Sequence, residues 1–102
     1  MFLIFSTARF TDLRPEQNII VATSGIISCS AEGTPTPQIE WRRQDEIPLD
    51  KGRFTQLSEG SLYINQVHPQ DKGTYICIFR QTKGSRMVTR MEHTINVFVI
   101  SE

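Results

Sequence analysis

Short runs in which apolar and polar residues alternate with a period of two recur along the chain, the mark of strands with one buried face. In Ile26–Ala31, the residues Ile27, Cys29 and Ala31 share one face while Ser28 and Ser30 occupy the other. Ser61-Leu62-Tyr63-Ile64 turns Leu62 and Ile64 inward, and Ile95, Val97 and Val99 line up likewise in a stretch from about Arg86 to Ile100. A strand starting near Gln38 follows Pro35 and Pro37, which cannot donate to a ladder and force an extended connection. Arg53-Phe54-Thr55-Gln56-Leu57 predicts a further strand, Glu59-Gly60 a turn, and Gln81-Thr82-Lys83-Gly84 carries the glycine of a hairpin. No internal repeat or low-complexity tract interrupts this pattern. Periodicity alone therefore predicts an all-β sandwich of two sheets.

Composition narrows the class. The 102 residues suit one small domain. Lys plus Arg and Asp plus Glu balance at 11 each, so no net charge points to nucleic acid or an anionic membrane. Apolar residues at 38% are lean, as expected where each strand leaves one polar face in water. The apolar run Phe2-Leu3-Ile4-Phe5 is far short of the ~20 residues of a membrane span and of the ~7 of a signal-peptide core. It also lacks a basic leader. Residues 1–8 are read as an N-terminal extension, a linker or the start of the first strand, and residues 9–102 as a single domain. No membrane insertion by this segment is expected.

One stretch is more specific. Asp71-Lys72-Gly73-Thr74-Tyr75-Ile76-Cys77 resembles the entry into strand F of the immunoglobulin family, where a Cys crosses the core and a Tyr two residues earlier folds its hydroxyl back onto the backbone. The resemblance asks for an upstream Cys and a Trp after it. Cys29 lies 48 residues before Cys77, and Trp41 follows Cys29 by 12. Gly33-Thr34-Pro35-Thr36-Pro37-Gln38-Ile39-Glu40-Trp41 is similar to the segment between strands B and C of the I-set branch, and the likeness spans roughly Phe10 to Ile100. It implies a Greek-key sandwich of antiparallel strands, a Cys29–Cys77 disulfide, Trp41 packed against that bridge, Leu62 in the core, and an Arg53–Asp71 salt bridge at the base of the domain. Three positions depart from the family. Glu46 replaces a turn glycine, so positive φ is not expected there. Ala22 also stands at a turn-glycine position, and Gly25 at one usually apolar, so a shifted or bulged turn is expected.

Chemistry finds little purchase. A thiol nucleophile needs a nearby base, and the histidines, His68 and His93, are not expected beside either Cys. Zinc would need four ligands at short spacing. No catalysis, metal or cofactor is expected. Surface recognition is. Ile76 and Ile78 are expected on the outer face of strand F, rimmed by Glu40 and Arg42, as the apolar centre of an interface. Arg80, Lys83, Arg86 and Arg90 form a run without an acidic residue, able to meet an acidic partner or, weakly, heparan sulfate. The resemblance implies a protein-recognition module of a larger cell-surface receptor or adhesion protein, extracellular, binding a protein partner or a copy of itself. The alternative is an intracellular cytoskeletal or sarcomeric I-set spacer with free thiols.

Overall fold

A computed structural model describes residues 4–101. Its strands are β1 (Ser6–Asp12), β2 (Glu16–Ile20), β3 (Gly25–Ile27), β4 (Ser30–Thr34), β5 (Gln38–Arg43), β6 (Phe54–Gln56), β7 (Leu62–Ile64), β8 (Gly73–Lys83) and β9 (Arg86–Ile100), with a 3-10 turn at Pro69–Asp71. One layer orders as β2-β9-β8-β5; the other holds β3-β7-β6, flanked by the β1–β4 pair. Pairing is antiparallel throughout except that β2 runs parallel to β9, an addition to the antiparallel expectation. Of the apolar run near the N-terminus, only Ile4 and Phe5 lie within the described residues, and both are exposed. Because β1 begins at Ser6, Ser6–Ala8 belong to the sandwich.

The inward residues of the period-two runs meet in one core, except Ala31, which is only half-buried in the β1–β4 pair opposite Phe10. Ile19, Ile27, Leu62, Ile64, Ile95 and Val97 pack with Tyr75 and the two cysteines, and Cys29 is bonded to Cys77. Closing a loop of this length stabilises the fold by about 4 kcal/mol in the chain-entropy model. Trp41 packs against this core while half-buried, and its Nε1–H donates to the Gly60 carbonyl at 2.7 Å. Its other side lines a groove of about 780 Å³ shared with Leu49, Phe54 and Leu62.

The strand that carries Cys29 breaks between β3 and β4, and side chains replace its ladder. The Gln17 amide reaches from the opposite sheet: its Nε2 donates to the Ser28 carbonyl at 2.9 Å and its Oε1 accepts from the Ser28 N–H at 2.7 Å. The Ser61 hydroxyl accepts from the Cys29 N–H at 3.2 Å. Buried backbone groups thus stay satisfied where regular pairing stops.

Two turns differ from expectation. Glu46 does adopt positive φ, at 68°, held by its N–H bond to the Arg43 carbonyl and by the Asp45 carboxylate accepting from the Ile47 N–H. Ala22 sits at φ 66°, and the strands on either side of its turn, β2 and β3, keep unbroken register, so no bulge forms there. At both places local hydrogen bonding holds a conformation that glycine would adopt at less cost.

Candidate functional site

Three neighbouring features of the β5-β8-β9 region hold the functional side chains: the corner that anchors β8, the outer face of the sheet, and the hairpin that joins β8 to β9.

The corner is a polar lock. Arg53 makes two bonds of 2.8 Å to the Asp71 carboxylate, which also accepts from the His68 N–H at 2.7 Å. Asp71 is buried, which raises its pKa, but the Arg53 bonds, the His68 N–H and the Arg53 charge outweigh that and hold it below the ordinary carboxylate value. The Tyr75 hydroxyl donates to the Asp71 carbonyl at 2.6 Å, and burial pushes its pKa up to about 12. Arg43, cross-strand from Tyr75, completes the lock. Its guanidinium donates to the carbonyls of Asp71 at 3.2 Å and Lys72 at 2.9 Å, to the Tyr75 oxygen at 3.0 Å, and to the Asp45 carboxylate. No sequence motif marks Arg43. Its signal was the register that sets it opposite Tyr75.

The outer face corrects the expected apolar centre. Ile76 and Ile78 are only 8% and 1% exposed, although both lie outside the inter-sheet core. Parity does turn them outward, on the face shared with Arg42 and Glu40 of β5 and with Thr94 and Glu92 of β9. The roof is ionic. Arg42 on β5 reaches Glu92 on β9 at 3.8 Å, spanning β8 between the two isoleucines, and Glu40 pairs with Arg80 at 2.5 Å. Long side chains lay their aliphatic stems over apolar residues while keeping their charges in water. A central strand flanked on both sides by such residues is therefore covered. What this face presents is interlocked charge over a hidden aliphatic layer.

The hairpin is where apolar surface is open. Met87, Val88 and Met91 are 53%, 39% and 49% exposed. A register shift between Gln81 and Thr82 leaves Val88 without a cross-strand partner. Of the basic run, Arg80 is committed to Glu40 and Arg90 to Glu92 at 2.7 Å. Among the described residues, Lys83 and Arg86 make no ion pair, and Lys83 lies 5.8 Å from the centre of the Phe5 ring.

Below the tip, Gln81 is a buried polar residue that sequence reasoning passed over. It is fully buried, its Oε1 accepts from the Ala8 N–H at 2.9 Å, and its Nε2 donates to the carbonyls of Ser6 at 2.8 Å and Pro35 at 2.9 Å. One amide thereby ties β1, the β4–β5 connection and β8 together.

His93 needs a correction as well. It is the register partner of Cys77. Its ring nevertheless lies 5.7 Å from that of Phe10, its Nε2 is 3.3 Å from the Arg14 carbonyl, and the Cys77 sulfur is held in the disulfide. No thiolate is available for a base to generate. Among the described residues, no group of three or more His, Cys, Asp or Glu is placed to hold a metal.

Comparison with known proteins agrees with this geometry. A family model for the immunoglobulin domain matches residues 11–80. The chain belongs to the immunoglobulin domain family. Among relatives, it is 40% identical over 86 residues to "Protein sax-3" of Caenorhabditis elegans, covering 78% of this chain and 7% of that protein. Among solved structures, "Sidekick-1 immunoglobulin domains 1-4" superposes with a TM-score of 0.76 at 24% identity, covering 94% of this chain and 25% of that one. A complex of titin M10 with an obscurin-like 1 immunoglobulin domain superposes with 0.75 at 17% identity, covering 93% and 95%. At these identities the structural likenesses speak for the fold alone. The chain spans well under a tenth of the length of the sax-3 relative. Relatives such as sax-3, sidekick-2 and roundabout 3 are cell-surface adhesion and receptor proteins, and the closed disulfide is consistent with an extracellular location. Immunoglobulin domains of such proteins are generally non-catalytic.

Proposed function

We propose that this domain is a protein-recognition module of a larger cell-surface receptor or adhesion protein, binding through the β8–β9 hairpin tip and the charged outer face beside it. The carrying observation is the open apolar surface of Met87 and Val88 next to Lys83 and Arg86, which make no ion pair among the described residues. Apolar residues with a charged border have the core-and-rim composition of an interface. Glu40, Arg42 and Arg80 supply polar residues on the adjoining face, where they hold fixed positions through their ion pairs. An anionic polysaccharide fits less well, because Arg80 and Arg90 are already paired. Retention on heparin should match that of a charge-matched control.

The test is binding of the chain, fused to an antibody Fc, to an array of cell-surface ectodomains, with a Lys83→Glu/Arg86→Glu/Met87→Ser variant in parallel. The expected result is at least one ectodomain retained by the wild type and lost by the variant. Equal retention of every binder by both proteins would overturn the hairpin assignment. Protein secreted from cells should gain a pair of hydrogens on reduction; two free thiols in that material would favour the cytoskeletal alternative.

A further inference from the structure

We infer that β9 carries a pairing edge for a second copy of this chain, in an antiparallel β9–β9 contact centred on Met91. It rests on the recognition reading only in making the domain a contact surface; Met91 and the Arg90 and Glu92 charges that set its register lie outside the recognition surface, so either can fail alone.

The edge follows from the sheet order. β8 covers one side of β9 from Arg86 to Val97, whereas β2 covers the other side only from Asn96 to Ile100. Among the described residues, Arg86–Ile95 therefore have no strand on their outer side. The direction of the backbone groups follows from one bond. The Asn96 N–H turns away from β8 and donates to the Pro15 carbonyl at 2.8 Å. Register is regular from Thr89 to Val97, and backbone groups alternate sides along a strand, so those of Arg90 and Glu92 face outward with those of Asn96. Among the described residues, no turn or side chain accepts or donates to them. A long open edge bearing apolar side chains is a template for another strand, and Met87, Val88 and Met91 are all exposed here.

Charge selects the occupant and the register. Rotating the strand onto itself about Met91 sets Arg90 opposite the second copy's Glu92, and Glu92 opposite its Arg90. Both residues carry outward backbone groups, so each such pair exchanges two hydrogen bonds while Met91 faces its own copy across the axis. Centring on Arg90 or Glu92 would instead oppose like charges, which is unfavourable. The outer edge of β5 also lacks a strand, but there the Ile39 carbonyl already accepts from Gln56 Nε2 at 2.7 Å. Pairing through β9 would join the two four-stranded layers into one continuous sheet.

Sedimentation equilibrium of the 102-residue chain tests this. The wild type should show a concentration-dependent dimer. Glu92→Arg and Arg90→Glu should each weaken it about tenfold or more, and an equimolar mixture of the two variants should restore it, because the mixed pair is again complementary. Met91→Cys should give an interchain disulfide on mild oxidation while Met87→Cys does not, a readout independent of the charge changes. A wild type that stays monomeric, a mixture that associates no better than its components, or equal crosslinking at Met87 and Met91 would each overturn the proposal. A failure confined to the hairpin-tip triple variant would sink only the recognition assignment.

Discussion

The Oε1 of Gln81 accepts a hydrogen bond from the Ala8 N–H at 2.9 Å, fastening the first strand to the longest hairpin across 73 residues of sequence. Its Nε2 serves two more carbonyls, so Gln81→Leu would leave a buried donor and two part-buried acceptors without partners. The expected cost is about 2–3 kcal/mol, with β1 opening first. Amide exchange at Ala8 should accelerate far more than exchange in β7. Uniform acceleration across the domain would show that the amide stabilises the whole fold rather than tethering β1.

The Arg53–Asp71 pair gives the fold an acid limb. Burial raises the Asp71 pKa, but bonding to Arg53 and the His68 N–H brings it below its ordinary value. A carboxylate with a depressed folded pKa contributes stability in full above its unfolded value, near 4, and loses it as pH falls through the folded value. Thermal midpoints should hold from neutral pH to about pH 5 and drop below about pH 4. Asp71→Asn should cost about 3 kcal/mol at neutral pH and flatten that drop. Parallel acid limbs in the two proteins would assign the loss to other carboxylates.

At the other end of the scale, Tyr75 must stay protonated in the folded state. Burial raises its pKa to about 12, against partial opposition from Arg43. A phenol raised in this way favours folding fully below its unfolded pKa near 10, and that contribution is lost as pH climbs toward the folded value. Alkaline destabilisation should therefore set in above about pH 10. Tyr75→Phe should cost about 1–2 kcal/mol at neutral pH, through the lost bond to Asp71, and reduce the alkaline slope. An unchanged slope would refute the assignment.

Ala22 and Glu46 hold left-handed backbone at φ 66° and 68°. Ala22→Gly and Glu46→Gly should each stabilise the domain by about 0.5–1 kcal/mol. Gly25 is the reverse case. A Cβ there would lie 2.9 Å from the Val67 Cγ2 and 3.1 Å from the Ile19 Cγ2, so Gly25→Ala should cost about 1–3 kcal/mol. Denaturant midpoints of the three variants check the signs, and a loss of stability in Ala22→Gly would contradict the strain argument.

What was legible in the sequence shared a physical basis. Alternation reports which side chains face which layer, so the inward sets Leu62/Ile64 and Ile95/Val97 could be read directly, as could the facing of Ile76 and Ile78. Alternation does not report what lies above an outward residue. The Arg42–Glu92 roof depends on three strands aligning in space, and only the register shows it. Arg43 and Gln81 illustrate a second gap. Both are polar residues whose role is to satisfy backbone carbonyls distant in sequence. Gln81 did leave a trace, as the one polar residue continuing the inward series Tyr75, Cys77 and Phe79. The positive φ of Glu46 is not legible in the sequence, because the steric preference for glycine says nothing of the hydrogen bonds that offset it.

The hidden isoleucine layer makes a sharp distinction between two readings of the outer face. If Ile78 were open to partners, Ile78→Glu would leave the fold intact and alter only binding. At 1% exposure, with Glu40 and Glu92 as its cross-strand neighbours, a carboxylate there would be buried beside like charge. Ile78→Glu should therefore destabilise the domain by at least about 3 kcal/mol. Arg42→Ala, which opens the roof without inserting a charge, should cost under about 1 kcal/mol, as exposed ion pairs contribute little. It should also increase binding of an apolar dye above Ile76. A folded Ile78→Glu domain with an unshifted thermal midpoint would show that the charged roof leaves Ile78 accessible in solution.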